Sequence, residues 1–242
     1  MPADTSFFYS EAISLIFNDY FYILTIRLFF FILFCMQKQL IILDCDGTCY
    51  PTIPTFNGTF KAALKATARD WQISEKDYTE IGLSVRGRHP GMMNFILALC
   101  GGNMIRFAQF TQDWCNRLDY SLIQPNPMLG HILRHTKLPV CILTNNCKLH
   151  LDHVWRRLFP FNPPYPRTFT IENTYDGHWF HPKQDPDGFR RFCAMNKLTP
   201  TSGLVLDDSI GILKVAQQAG LSTRLVSPQR PLALHLRELE RE

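Results

Sequence analysis

The chain has 242 residues, 46% of them hydrophobic and 19% charged, and a formal net charge of +4 at pH 7. This composition is that of an ordinary globular protein and excludes a disordered or collagen-like chain. The length suits one domain with an insertion or two small domains. Because the basic residues are scattered in pairs and form no stripe, we expect no nucleic-acid partner. The eight cysteines include no Cys-x-x-Cys pair, so we expect buried free thiols in a reducing compartment.

Residues 1–35 differ from the rest because residues 20–35 are almost wholly apolar and aromatic. This run is shorter than the roughly 20 residues that a membrane-spanning helix needs. Phe34-Cys35-Met36 also offers no signal-peptide cleavage site. We therefore expect residues 1–35 to be a poorly ordered or non-native extension, translation to begin at Met36, and the protein to be cytoplasmic. The alternative is a membrane anchor in residues 1–35.

The first predicted element after this segment is a strand over the apolar run 40–43, buried on both faces. The run leads into Asp44-Cys45-Asp46-Gly47-Thr48, so two carboxylates stand two residues apart at its carboxyl end. In open parallel sheets, ligands bind at that end. The pair could hold a divalent cation and attack a phosphoryl group. The plainer alternative is a strand that ends in an Asp-Gly turn.

Residues 55–124 carry helical patterns throughout, and we interpret them as an all-helical insertion. A first helix is expected from about residue 57 to 71, and a second begins after a cap at Ser74. A third runs from His89-Pro90 to a break at Gly101-Gly102. A further helix is predicted by apolar residues at helical spacing, namely Phe107, Phe110, Trp114 and Leu118.

Pro125-Asn126-Pro127 marks the return to the main domain. Apolar runs then alternate with helical patterns, which predicts an α/β fold with right-handed crossovers and a parallel sheet. The remaining strands are predicted at 140–143, 168–171, 204–206 and 223–226, and the helices at 128–133, 149–159, 187–196 and 210–219.

Polar residues directly follow three of the predicted strands, and a parallel sheet would bring them to one rim. Asp44 and Asp46 follow the first strand, Thr144 the second, and Asp207 and Asp208 the fourth. Carboxylates gathered in this way repel each other unless a cation joins them, and oxygen ligands favour Mg²⁺ with a bound phosphate. Asp44 would be ligand and nucleophile, and Asp46 would give a proton to the leaving oxygen and later activate water.

Two further positions would bind the phosphoryl group. Thr144 would donate its hydroxyl to a phosphate oxygen, with N–H groups after it, such as that of Asn145, adding to this. Lys183 lies in a proline-rich loop ahead of a predicted helix, where a fixed ammonium would neutralise charge on the phosphoryl group and on Asp44. On spacing alone, a solvated loop lysine explains Lys183 equally well.

These residues resemble the four ordered motifs of the haloacid dehalogenase-type phosphohydrolases. The motif residues are Asp44-Cys45-Asp46-Gly47-Thr48, Thr144, Lys183 and Asp207-Asp208. Further stretches are similar to the pyrimidine 5'-nucleotidase-like branch of that family, among them Tyr50-Pro51, Gly82-Leu83 with Arg86-Gly87, Leu118-Asp119-Tyr120, Thr144-Asn145-Asn146 with His150, and Asp207-Asp208-Ser209. The resemblance covers residues 40 to about 226.

The resemblance implies a Rossmann-like parallel-sheet core formed by residues 36–54 and 125–242, with a helical cap, 55–124, inserted after the first strand motif. It implies Mg²⁺ held by Asp44, Asp207 and the backbone carbonyl of Asp46, and an aspartyl-phosphate intermediate on Asp44. Thr144, Asn145 and Lys183 would bind the substrate phosphate, with Asp208 in support. Arg86 of the cap could contact substrate, although a plain surface arginine is an equal alternative.

We therefore expect a Mg²⁺-dependent phosphomonoester hydrolase whose substrate is a small phosphorylated metabolite, favouring a nucleoside 5'-monophosphate. One alternative is a phosphatase or phosphomutase for a sugar phosphate or other small metabolite. Another is a catalytically silent binding or regulatory protein on the same fold. Three departures from the family pattern bear on the substrate more than on the chemistry. They are Gln184 in place of Pro, Ile212 where Asn is common, and the Gly101-Gly102 break in the cap where a shorter link is expected. The oligomeric state stays open.

Overall fold

The computed structural model describes residues 40–51, 53–86, 88–89, 91–161 and 167–242. The predictions about residues 1–35 and about a start at Met36 lie outside these ranges. Within them, none of the helices combines the length and apolar character that a membrane crossing requires.

A parallel sheet forms the centre of the described chain, in the order β3-β2-β1-β4-β5. Its strands are β1 (Leu40–Leu43), β2 (Val140–Leu143), β3 (Thr168–Phe169), β4 (Gly203–Asp207) and β5 (Ser222–Leu225). β1 is central because it pairs with β2 on one side and with β4 on the other. The predicted α/β fold with a Rossmann-like parallel sheet is confirmed.

Three strand boundaries differ from the prediction. β3 has two residues, because Ile171–Thr174 turns into a 3₁₀ helix capped by Thr170. β4 is one residue longer at each end, beginning at Gly203 and including Asp207, and β5 begins and ends one residue earlier than predicted. These shifts leave the polar residues at the same rim of the sheet.

Helices cover most of residues 54–115, and the described part of this range contains no strand. They are α1 (Pro54–Asp70), α2 (Glu75–Arg86), α3 (Met92–Leu99) and α4 (Met104–Cys115). α1 begins three residues before the predicted start, because the fixed φ of Pro54 suits the first helical turn. The predicted cap of α2 is present, since Ser74 Oγ accepts from the Asp77 N–H at 3.0 Å. The assignment of residues 55–124 to a separate cap stays a prediction.

The remaining helices cover both faces of the sheet. They are α5 (Pro127–His135), α6 (Lys148–Leu158), α7 (Pro186–Met195), α8 (Ile210–Gln218) and α9 (Leu232–Leu239). Alternate strand residues face opposite layers, as strand geometry requires. Ile42 and Val205 belong to the apolar cluster of α7 and α8, whereas Ile41 and Leu204 belong to that of α5, α6 and α9.

α9 was not predicted from the sequence; it packs beside α5. Leu232 and Leu236 of α9 are buried in the core. His235 is joined to the end of β5 through a hydrogen bond of 3.0 Å between its Nε2 and the Leu225 carbonyl. The helix therefore tethers the edge strand of the sheet.

The interior is apolar and its thiols are unpaired. All seven cysteines of the described ranges are free and buried, which confirms the predicted buried thiols. The largest buried side chains include Phe56, Phe107, Phe110 and Trp114 of the helices in 54–115. Phe107, Phe110 and Trp114 stand at the helical spacing noted in the sequence, and their burial makes them core residues.

Candidate active site

The carboxyl ends of β1, β2 and β4 place their polar residues at one rim. Asp44 follows β1, Thr144 follows β2, and Asp207 is the last residue of β4. Their exposed fractions are 7%, 3% and 1%. Because a buried charge is costly without a partner, these carboxylates need compensation within the fold.

Lys183 supplies that compensation. Its Nζ donates to Asp44 Oδ1 at 2.5 Å and to Asp207 Oδ2 at 2.7 Å, and the residue is only 5% exposed. Burial alone would lower the pKa of Lys183, but the attraction of the two carboxylates outweighs burial and raises it. Lys183 is therefore a charged group of the rim and not a solvated loop lysine.

The loop that carries Lys183 is held by side chains around it. Asn145 Oδ1 accepts from the Lys183 N–H at 2.7 Å, and Asn145 Nδ2 donates to Gln184 Oε1 at 2.9 Å. Asp185 caps α7 by accepting from the Asp187 N–H at 3.0 Å. The side chain of Asn145 thus holds Lys183 in place, while the binding of phosphate by its backbone N–H stays a prediction.

A group of carboxylates lies beside Lys183. Oxygen atoms of Asp44, Asp207 and Asp208 lie within 4.8 Å of one another. Burial raises the pKa of Asp44 to about 7, because the attraction of Lys183 only partly offsets burial and the repulsion of Asp207. Burial and Asp207 also raise the pKa of Asp208. Crowded carboxylate oxygens of this kind suit a hard divalent cation.

The loop after Asp46 passes so close to Asp208 that only glycine fits at its tightest point. Gly47 has a φ of +88°, and a Cβ there would lie 2.3 Å from Asp208 Oδ2. Thr48 Oγ1 accepts from the Asp208 N–H at 3.1 Å. These contacts join the loop after β1 to the loop after β4.

Asp46 has different partners, although it lies two residues from Asp44. The Tyr50 hydroxyl donates to its Oδ1, Asn146 Nδ2 donates to its Oδ2 at 2.6 Å, and His150 Nε2 lies 3.0 Å from Oδ1. Burial disfavours the charged form, but the attraction and hydrogen bond of His150, with Tyr50 and Asn146, outweigh burial and hold the pKa of Asp46 below its usual range. Its side chain is 27% exposed, so a ligand at the rim can reach it.

Tyr50, Asn146 and His150 were not predicted as site residues from the sequence. A signal was present, because all three lie in the stretches that are similar to the nucleotidase-like branch. Their meeting at Asp46 could not be deduced, since Asn146 and His150 are 100 and 104 residues away from it in the chain.

Two cavities adjoin the rim. One of about 100 Å³ is lined by Gly91, Met92, Met93 and Asn94 around the start of α3, and by Asn145, Asn146, Ile171, Pro182 and Gln184. Another, of about 450 Å³, lies between residues 47–51 and residues of the 225–233 segment and borders Asp208. Arg86 is exposed at the end of α2 and lines neither cavity.

Comparisons with known proteins agree with this fold. No family model and no curated protein matches the sequence. A solved 2-haloacid dehalogenase from Pseudomonas syringae pv. Tomato DC3000 matches 84% of this chain and 97% of its own, with 16% identity and a TM-score of 0.54.

CbbY from Rhodobacter sphaeroides, solved in complex with phosphate, matches 78% of this chain and 86% of its own, with 16% identity and a TM-score of 0.50. A CbbY mutant solved with xylulose-(1,5)bisphosphate matches the same shares at 15% identity and a TM-score of 0.50. Structural matches at sequence identities this low establish the fold and nothing finer. The assignment to the nucleotidase-like branch stays a prediction. The chain therefore has the haloacid dehalogenase fold, as its motifs led us to expect.

Proposed function

We propose that the protein is a Mg²⁺-dependent phosphomonoester hydrolase that acts through an aspartyl-phosphate on Asp44. The substrate class we favour is a nucleoside 5'-monophosphate. The observation that carries the proposal is the contact of a buried Lys183 with both Asp44 and Asp207 at the rim of the sheet. An ammonium fixed there would counter the charge of a phosphoryl group that approaches Asp44.

The donor set at the rim fits the metal that this chemistry needs. Asp44, Asp207 and the backbone carbonyl of Asp46 would hold Mg²⁺, with Asp208 beside them, and the closeness of the three carboxylates supports this choice. The bound ion would polarise phosphoryl oxygens and neutralise their charge.

The residues of the rim would divide the reaction between them. A carboxylate oxygen of Asp44 attacks phosphorus, the bond to the leaving oxygen breaks, and Asp46 gives that oxygen a proton. Water then attacks the phosphorus of the aspartyl-phosphate, Asp46 takes its proton, and inorganic phosphate leaves Asp44 free. Because its surroundings favour the ionised form, Asp46 must take up a proton before the first step and is ready as the base of the second.

Thr144 would orient the phosphoryl group. Its Oγ1 accepts from the Asn146 N–H at 3.1 Å, so its own hydrogen is available for a phosphate oxygen. The leaving group would lie in the cavity between the start of α3 and the loops of Asn145 and Gln184. We further propose that residues 55–124 act as a cap that excludes water from this cavity.

A sugar phosphate or another small phosphorylated metabolite is the second candidate substrate, with hydrolysis or phosphoryl return as the outcome. The cavity of about 100 Å³ is smaller than the roughly 300–1,000 Å³ typical of small-molecule sites. A nucleoside would therefore require more movement of α3 than a sugar would. CbbY, whose fold this chain shares, was solved with xylulose-(1,5)bisphosphate. A catalytically silent protein is the less favoured alternative, because Asp44, Asp46, Lys183 and Asp207 are all present.

A substrate screen tests the proposal. Purified protein is given nucleoside 5'-monophosphates, sugar phosphates and other phosphomonoesters, each with Mg²⁺ and with a chelator. We expect phosphate release in the presence of Mg²⁺ and none in the presence of the chelator. Among the substrates, we expect the highest kcat/KM for nucleoside monophosphates. A preference for sugar phosphates would favour the second candidate. If the wild-type protein releases no phosphate from any ester, the proposal is wrong and the silent binding protein is favoured.

A further inference from the structure

His150 of α6 lies wholly in the core, yet it contacts the carboxylate to which the proposed reaction gives both proton transfers. The residue has no exposed surface, and its Nε2 lies 3.0 Å from Asp46 Oδ1. An ionised carboxylate can only accept a hydrogen bond, so Nε2 carries the hydrogen of this contact. A core histidine could have been satisfied by any backbone carbonyl, but this one bonds to a side chain of the rim.

The rest of the ring is fixed by contacts on its other nitrogen and on its faces. Nδ1 lies 3.1 Å from the Tyr120 hydroxyl. Phe56 and Trp114 stack on the imidazole at centroid distances of 6.3 and 5.9 Å, and Phe60 meets it edge-on at 5.4 Å. Because these contacts leave the ring no freedom to rotate, the hydrogen on Nε2 points in one direction, towards Asp46.

We propose that His150 is a positioning residue for Asp46, an inference that rests on the phosphohydrolase function proposed above. With Tyr50 and Asn146, His150 places three donors on one carboxylate, and these hold it in a single orientation beside Asp44. General acid–base catalysis depends on this orientation, because proton transfer needs a heavy-atom distance of about 2.6–3.2 Å. The hydrogen bond of His150 goes to Asp46, whereas the Asp44 carboxylate is bonded by Lys183, so we expect the loss of His150 to fall mainly on proton transfer.

Substitutions at His150 can separate the hydrogen bond from the packing. His150→Phe keeps a flat ring between Phe56 and Trp114 and removes the donor. His150→Gln keeps an amide N–H that can reach the position of Nε2 and removes the stacking. Circular dichroism and thermal unfolding of both variants check that they fold.

The readout is kcat/KM for two esters, p-nitrophenyl phosphate and an alkyl phosphate that the wild-type protein hydrolyses. This parameter reports formation of the aspartyl-phosphate, and only the alkyl ester needs a proton on its leaving oxygen. We expect His150→Phe to lower kcat/KM for the alkyl ester by about 10- to 100-fold and for p-nitrophenyl phosphate by less than about threefold. His150→Gln should recover part of the loss. If His150→Phe does not fold, the Gln variant should show the same selective loss in smaller degree.

A second arm tests whether His150 acts through Asp46. In an Asp46→Asn background, adding His150→Phe should change kcat/KM for the alkyl ester by less than about twofold, because residues that act as a unit are non-additive. An equal loss on both esters, or a full additional loss in the Asp46→Asn background, would overturn the positioning role alone. If the wild-type protein hydrolyses no phosphomonoester in the screen above, the proposed function fails and this inference fails with it.

Discussion

Asp44 and Asp46 are separated by one residue, but the fold gives them opposite surroundings. Asp44 lies among acidic and basic groups, with Lys183 on one side and the carboxyl groups of Asp207 and Asp208 near it. Asp46 is surrounded by hydrogen-bond donors of the side chains Tyr50, Asn146 and His150. Burial and like charges raise the pKa of Asp44 to about 7, whereas the donors hold that of Asp46 below its usual range against the effect of burial.

In the proposed reaction, this difference would let one loop supply two chemical roles. Two carboxylates whose surroundings separate their pKa values can be assigned to different tasks. The surroundings of Asp44 call for a cation, so it suits a metal ligand and nucleophile. Those of Asp46 call for no cation, so it is free to exchange a proton at the leaving oxygen. The predictions below test this division, beginning with the largest expected effect.

The two carboxylates should differ in what their loss does to turnover. We expect Asp44→Asn to lower kcat by more than about 10⁴-fold on every ester, because it removes the nucleophile. Asp46→Asn should lower kcat/KM by about 10²- to 10⁴-fold on alkyl phosphates and much less on p-nitrophenyl phosphate. Steady-state kinetics with both esters measures this. The same pattern of loss in both variants would remove the distinction between the two roles.

Lys183 should stabilise the folded protein by neutralising the buried carboxyl groups of Asp44 and Asp207. In chelator, Lys183→Met should lower the free energy of unfolding by about 3–5 kcal/mol, because it leaves buried Asp44 and Asp207 without their partner. Urea denaturation measures the change, and Mg²⁺ should restore part of it. Lys214→Met on the exposed face of α8 is the control and should stay within about 0.5 kcal/mol of the wild type. Equal effects of the two substitutions would contradict a buried ion pair.

Gly47 should be needed for the position of the Asp208 carboxylate, because its backbone passes close to that side chain. Gly47→Ala and Gly101→Ala each place a side chain at positive φ, which should cost about 1–2 kcal/mol of unfolding free energy. Only at Gly47 does the new Cβ collide, with Asp208; at Gly101 there is open space. We therefore expect Gly47→Ala alone to raise the Mg²⁺ concentration for half-maximal activity, by about tenfold or more. Titration of activity with Mg²⁺ decides, and an unchanged Mg²⁺ requirement in Gly47→Ala would argue against Asp208 as a member of the site.

The smallest effect concerns the pH at which each carboxylate titrates in the metal-free protein. Asp44 should take up its proton near pH 7, while Asp46 should stay ionised down to the acid limit of folding. The contribution of Asp44 to stability is therefore complete below its unfolded pKa of about 3.9 and is lost as the pH rises through 7. That of Asp46 has the opposite sign: it is present above about pH 3.9 and is lost as the pH falls. Carbon-13 NMR of labelled aspartates in chelator measures the pH midpoint at which each carboxyl group titrates, with signals assigned by Asp44→Asn and Asp46→Asn. Similar midpoints for Asp44 and Asp46 would contradict the comparison.

Sequence patterns predicted the frame of the site because that information is local. A short apolar run followed at once by a polar residue marks a buried strand and its carboxyl end, and this placed Asp44, Thr144 and Asp207 at one rim. The fold class followed from the alternation of such runs with helices. β3 was predicted too long because its last residues turn into a 3₁₀ helix through the cap of Thr170, which hydropathy alone does not reveal.

The immediate surroundings of the reactive groups could not be predicted, because they depend on contacts between distant parts of the chain. Lys183 meets Asp44 across 139 residues, and His150 meets Asp46 across 104. The sequence also gave no sign that the side chain of Asn145, 38 residues away in the chain, holds the Lys183 loop. α9 was missed because its burial depends on packing against α5. The short sequence of α9 does not by itself predict that contact.

The most direct test of the account is to trap the phosphoryl group on Asp44. Asp46→Asn should form the aspartyl-phosphate from p-nitrophenyl phosphate but release it slowly, because the base for water is lost. Rapid mixing should then show a burst of p-nitrophenol that approaches one per protein molecule, and acid quenching with peptide mapping should place a phosphoryl group on Asp44. A linear time course with no phosphorylated peptide, or a phosphorylated peptide that persists when Asp44→Asn is added to Asp46→Asn, would contradict Asp44 as the nucleophile.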